Sequence, residues 1–147
     1  MGFFGAMNTA ATGMTAQRLR LDIISQNIAN SNTTRTEAGG PYKRKSVIFE
    51  QIDNTNGSSF ASALNKAAQS GTNGVRVARI IEDESEGAMS YDPTHPDADA
   101  NGYVHYPNVN TVDEMVNMIS ASRSYEANIT SFNTMKAMFN KALEIGK

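Results

Sequence analysis

With 147 residues, 39% of them hydrophobic, 7% aromatic and none Trp, the chain can build one modest core or one elongated subunit, and little more. A net charge of -2 offers no global field for nucleic acid, and the absence of Cys excludes disulfides, thiol catalysis and thiolate metal sites. No apolar run reaches membrane-span length, so direct membrane insertion is not expected.

The amino end, MGFFGAMNTA, lacks the basic and long apolar regions of a secretory signal, and Ala6 stands where myristoylation needs Ser or Thr. Any export is therefore expected to proceed without a cleaved signal peptide. Charge is uneven along the chain. Residues 1–45 carry six basic side chains (Arg18, Arg20, Arg35, Lys43, Arg44, Lys45) against Asp22 and Glu37, while 80–122 holds no Lys or Arg. Two separately solvated faces would explain this, and so would head-to-tail complementarity between copies.

A first helix is predicted from about Ala6 to Ala29. Met7, Met14, Leu21 and Ile28 recur every seven residues, with Ala10 and Ile24 three positions after two of them, which makes a narrow coiled-coil-like seam. The helix ends in NSNTTRTEAGGP, closed by Pro41. Residues 46–52 (SVIFEQI) and 75–82 (VRVARIIE) read as strands. Between them, 54–74 is Asn-, Ser-, Ala- and Gly-rich around Phe60, Ala61 and Leu64, and reads as a flexible loop. The stretch 82–108 reads mostly as loop, with Tyr103 to Tyr106 extended.

The last helix is predicted from Thr111 to about Ile145, free of Gly and Pro, with Asn110 as N-cap and Asp113 and Glu114 at the positive end of the dipole. Met115, Ile129 and Leu143 share one heptad position, interrupted by Ser122 and Lys136. Met118, Tyr125, Phe132 and Phe139 occupy the adjoining one, with Phe132 and Phe139 expected to anchor against Met14, Leu21 or neighbouring subunits. The opposite stripe includes Arg123, Thr130, Thr134 and Lys141.

The expected fold class is mainly α with a small β insert, the long N- and C-terminal helices pairing as a coiled-coil-like inner domain. In domain terms, 1–35 and 109–147 would form the paired terminal helices and 36–108 the β/loop insert. Both helices are rich in Ser, Thr and Asn, so packed only on each other they would bury little apolar area. Weak long helices at both ends make sense if other copies supply the missing burial. An ordinary two-helix hairpin closing a small domain fits the same periodicity.

Sites of chemistry find little support. Asp97, Asp99, Asn101 and Gly102 open like a calcium loop, but position twelve is Asn108 and Pro96 precedes the loop; Asx-turns explain the same residues. His95 and His105 have no helical ligand spacing, and Ser90 sits in no nucleophile elbow. Lys43, Arg44 and Lys45 are too short a run for a nucleic-acid reader, and alternation puts Lys43 and Lys45 together, solvated or facing an acidic neighbour.

Asn27-Ile28-Ala29-Asn30, followed by SNTTRT and then Gly39-Gly40-Pro41-Tyr42-Lys43-Arg44-Lys45, resembles the signature of the flagellar axial rod and hook proteins. YDPTHPDADANGYVHYPNVN, EMVNMISASRSYEAN and the closing KALEIGK are similar to a proximal-rod member of that family. The resemblance covers both ends and thins between 53 and 74. It implies a structural subunit of the basal-body rod crossing the periplasm, with no enzymatic role and no cofactor. The implied partners are other copies, other proteins of the proximal and distal rod, and the flagellar type III export apparatus. It also implies that the terminal helices line a hollow shaft that transmits torque and passes exported subunits. On that basis Arg123, Thr130, Thr134 and Lys141 would face the channel, and Phe3 with Met7 would match the export motif of early rod substrates. A free coiled-coil adaptor would explain the heptads but not the Asn-Ile-Ala-Asn turn; a calcium module would need the missing twelfth-position acid.

Overall fold

A computed structural model describes residues 3–37, 39–52 and 73–145; the loop expected at 54–74 lies outside the described residues but for 73 and 74. Two long helices pack against each other and a small β insert joins them, a mainly helical chain of the expected class. Helix α1 runs Phe3–Ala29, strand β1 Lys45–Gln51, β2 Val75–Glu82, β3 Met89–Tyr91, β4 Tyr103–His105, and helix α2 Thr111–Ile145. At 1.5 Å per residue the 35 residues of α2 reach about 50 Å. The short β3 falls inside a stretch whose turn-forming residues read as loop.

The poor helix formers of α1 are satisfied locally. Thr9 Oγ1 donates to the Gly5 carbonyl (3.1 Å), and Thr15 Oγ1 to that of Ala11 (3.1 Å). The expected N-cap of α2 forms, since Asn110 Oδ1 accepts the Val112 N–H at 3.0 Å.

The chain divides into two compact units, one of Met1–Arg18, Phe49–Ala78 and Ser122–Lys147, the other of Leu19–Ile48 and Arg79–Ala121. In the first, Ala10, Gly13 and Ala16 are buried on α1. Gly13 lies so close to α2 that an added Cβ would sit 2.9 Å from Asn128 Oδ1. Toward the start of α1, Phe3 stacks on Phe139 with centroids 4.6 Å apart, and Phe4 lies 6.1 Å from the same ring. Phe3 meets Phe139 while Gly13 meets Asn128, so the helices run antiparallel. That direction gives Phe139 the aromatic partners Phe3 and Phe4 at the opposite end of the chain.

In the second unit Ile23, Ile24, Val104 and Ala121 form the buried apolar core. Strands β3 and β4 pair antiparallel, Met89 with His105, Ser90 with Val104 and Tyr91 with Tyr103. Period-two alternation turns Val104 into the core and leaves Met89, Tyr91, Tyr103 and His105 on the exposed face. Just before this hairpin the chain passes Gly87, where a Cβ would collide with the Tyr106 carbonyl and the backbone of Pro107 and Asn108. Backbone cannot yield as a side chain can. Gly87→Ala should therefore cost about 1–3 kcal/mol by overpacking. Phe139→Ala, at a half-buried ring, should cost about 1–2 kcal/mol. Urea denaturation of the full chain measures both as lowered midpoints.

Candidate functional site: a buried polar junction at the motif turn

Among the described residues two polar side chains are fully buried, Asn27 at 0% exposure and Glu114 at 1%. Each needs its hydrogen-bonding capacity filled, because an unpaired buried amide or carboxylate is costly. Asn27 uses all of its capacity. Its Nδ2 donates to the Lys45 carbonyl (2.8 Å) and to Glu114 Oε2 (3.0 Å). Its Oδ1 accepts the Lys45 N–H (2.9 Å) and the Tyr42 hydroxyl (3.0 Å). Bonding both backbone groups of Lys45, the side chain takes the place of a neighbouring strand at the start of β1.

Glu114 holds the other side of the junction. Its Oε1 accepts Arg44 Nε at 2.8 Å and lies 2.7 Å from Nη2. Charge-assisted bonds of this length are what a buried carboxylate needs to stay in place. Arg44 is fixed in turn, its N–H donating to Asn108 Oδ1 (2.8 Å) and its carbonyl accepting the Asp83 N–H (2.8 Å). Burial, with Glu82 and Glu114 nearby, raises the Tyr42 phenol above its ordinary 10.0.

The second Asn of the motif has a different task. Asn30 Nδ2 donates to the Gln26 carbonyl (2.9 Å), adding a second bond to an oxygen that already accepts the Asn30 N–H (3.0 Å) at the end of α1, and its Oδ1 accepts Thr33 Oγ1 at 3.2 Å. The Tyr42 N–H then donates to the Thr33 carbonyl at 3.0 Å, leading the chain back to the junction. Ile28 is half-buried and Ala29 exposed between the two asparagines. The motif thus ends a helix with one amide and ties that helix to β1 and α2 with the other.

The remaining expected residues fall in three places. Met7, Met14, Leu21 and Ile28 are half-buried, flanking the more deeply buried Ala10, Gly13, Ile24 and Asn27. On α2, Met118, Tyr125, Ile129, Phe132 and Phe139 are half-buried, whereas Met115 and Leu143 are exposed. Arg123, Thr130, Thr134 and Lys141 are all exposed. The two threonine hydroxyls bond back to the carbonyls of Glu126 (3.0 Å) and Thr130 (2.8 Å), and Lys141 pairs with Glu144 at 2.7 Å. Lys45 does face an acidic neighbour, Glu82, at 3.6 Å.

The acidic loop is braced both by the turn after α1 and from within. Asp97 accepts Thr34 Oγ1 at 2.7 Å and lies 3.7 Å from Arg35. Asp99 accepts the N–H groups of Asn101 and Tyr103, at 2.8 and 2.9 Å. Among the described residues no cluster of three His, Cys, Asp or Glu is placed to hold a metal ion.

The junction thus ties the end of α1 to β1 and the first turn of α2, and comparison with known proteins gives the class of protein that carries it. The family model "Flagella basal body rod protein" matches residues 7–35, and "Flagellar basal body rod FlgEFG protein C-terminal" matches 100–145. "Flagellar basal-body rod protein FlgC" of Borreliella burgdorferi is 51% identical, covering 99% of this chain and 98% of that one. The FlgC of Bacillus subtilis is 48% identical and that of Escherichia coli O6:H1 39%, each over 100% of both chains. The chain belongs to the FlgC family of flagellar basal-body rod proteins.

Truncating Asn27 to Ala leaves Lys45 and Glu114 with unmet bonds, and should cost about 2–4 kcal/mol. Arg44→Met should cost a similar amount, and adding Glu114→Met should recover much of it, because an apolar pair removes the stranded charge. Equilibrium unfolding of the three variants tests this; an additive double mutant would contradict it. The Tyr42 shift makes a pH signature. A phenol whose folded pKa is raised leaves stability unaffected below the ordinary 10.0 and lowers it as pH climbs through and above that value. The stability gap between wild type and Tyr42→Phe should therefore narrow on raising the pH past that point.

Proposed function

We propose that this chain is a structural subunit of the flagellar basal-body rod, polymerising with its own copies and with other proximal and distal rod proteins into a hollow, torque-transmitting shaft. One observation carries the assembly part. Val112, Met115, Val116 and Ile119 stand at i, i+3, i+4 and i+7 on α2 and are all exposed, Val116 at 62% and Ile119 at 56%. So regular an apolar stripe, left open at the start of a long helix, suits a protein partner far better than water. Its relatives are rod proteins, and the role assigned is structural, without catalysis or cofactor.

Further along α2, the positions continuing this face turn polar: Arg123, Thr130, Thr134 and Lys141. With the threonine hydroxyls bonded to their own helix, Thr130 and Thr134 offer passing chains little apolar grip and few free hydrogen bonds, which suits a channel lining. The stacking of Phe3 on Phe139 fits an export motif at Phe3 and Met7 that the type III apparatus reads only before folding. Export in the unfolded state, and location in the rod across the periplasm, complete the proposal.

Val116→Glu with Ile119→Glu should leave helix content unchanged in the purified chain and abolish rod assembly and motility. Motile cells carrying the double variant would reject the stripe as an assembly surface. Thr130→Leu with Thr134→Leu should permit rod formation but slow the appearance of hook and filament subunits beyond it. Unchanged export would remove these residues from the channel.

A further inference from the structure

Sulfur in this chain is all thioether, since the sequence holds eight Met and no Cys. Reactivity toward peroxides therefore falls on methionine, and exposure decides which methionine reacts. Met7, Met14, Met118 and Met135 are half-buried, whereas Met89, Met115 and Met138 stand 57%, 54% and 65% exposed. Of these three, only Met115 lies within the apolar stripe at the start of α2, flanked by Val112 on one side and by Val116 and Ile119 on the other.

The stripe makes an oxygen on that sulfur costly. Val112, Val116 and Ile119 have aliphatic side chains without a hydrogen-bond donor, so a sulfoxide covered there by an apolar partner leaves a strong acceptor unpaired. In the free subunit the same oxygen faces water and costs little, because Met115 is exposed on the outward side of α2. Met118, less than one turn further on, gives the contrast. It is half-buried on the inward side, so an oxygen there disturbs the packing of the subunit itself. Oxidation at Met115 thus acts on assembly and spares folding.

We propose that the Met115 thioether is an oxidation site, at which hydrogen peroxide closes the α2 stripe to its protein partner until the sulfur is reduced again. One peroxide oxygen is transferred to a lone pair of Sδ. An S–O bond forms and the O–O bond breaks, so the thioether is oxidised to a sulfoxide while the peroxide is reduced to water. A dithiol reductant reverses the step, being oxidised to its disulfide as the sulfoxide oxygen leaves in water. The switch deepens the assembly reading of the stripe and rests on it, adding the chemistry that controls it.

Brief hydrogen peroxide treatment of the purified full chain, read by peptide mass spectrometry, should convert Met115 to its sulfoxide about tenfold faster than Met118. Equal rates at the two residues would overturn the proposal. The second arm uses cells unable to reduce methionine sulfoxide, pulsed with peroxide and quenched before rod assembly is induced. Assembled rods should then be depleted about tenfold in Met115 sulfoxide relative to unassembled chain, with no such depletion at Met89. Equal Met115 sulfoxide in the two pools would also overturn it. Basal bodies isolated from untreated cells and then exposed to peroxide test the stripe by itself. Met115 reacting there as fast as in the free chain would show the stripe uncovered and reject the assembly reading. Protection there, combined with equal pools after the pulse, rejects the oxidation switch alone.

Discussion

A carboxylate cannot be buried in a small domain unless its charge is met, and that constraint shapes the second unit around Glu114. Arg44 neutralises it, and Asn27 fills its remaining oxygen. These three residues come from the end of α1, the approach to β1 and the first turn of α2, so satisfying one charge brings three distant chain segments to one point. The apolar core nearby is small, made chiefly of Ile23, Ile24, Val104 and Ala121. Such a core leaves many compact arrangements close in energy. A polar junction tolerates few, since a slip of one residue would strand a donor or a charge.

The family motif acquires a physical meaning from this arrangement. Asn is needed at 27 because only a carboxamide can both donate to and accept from the backbone of Lys45 while also reaching Tyr42 and Glu114. Asp would place a second carboxylate beside Glu114, and Leu would leave four bonds unmade. At 30 the demand is lighter, a donor for the Gln26 carbonyl and an acceptor for Thr33. Two identical residues three positions apart thus serve unequal purposes.

Much of the fold was legible in the sequence. The heptad rows and the absence of Gly and Pro located α2, Asn110 marked its start, and β-branched runs located β1 and β2. The deepest positions were harder to see. Ala10 falls in the heptad seam, but Gly13, Ala16 and Ala121 carry little hydrophobicity, so a search for large apolar side chains passes over them, although close helix approach requires small ones. Glu114 reads as a residue placed for the helix dipole, and Arg44 as the middle of a solvated basic run. What separates them from their neighbours is alternation: Lys43 is exposed and Lys45 meets Glu82, while the intervening Arg44 turns toward Glu114. Only the pairing across 70 residues reveals it, and local periodicity holds no such information.

The exposed face of α2 shows why one helix can serve both stability and assembly. Its inward side draws on two adjoining heptad rows, Met118, Tyr125, Phe132 and Phe139 beside Glu114, Ala121, Asn128 and Met135. Those rows are satisfied within the chain, so the outward residues are released from folding and can be chosen for surroundings. Over 112–119 they are Val, Met, Val and Ile, a composition that water disfavours; from 123 to 134 they include Arg123, Glu126, Thr130 and Thr134, which water tolerates, before Met138, Leu143 and Ile145 are exposed near the helix end. A helix needed only to close its own domain would have no cause to change character along one exposed face. A helix covered by protein over its first turns and bordering solvent beyond them would require that change.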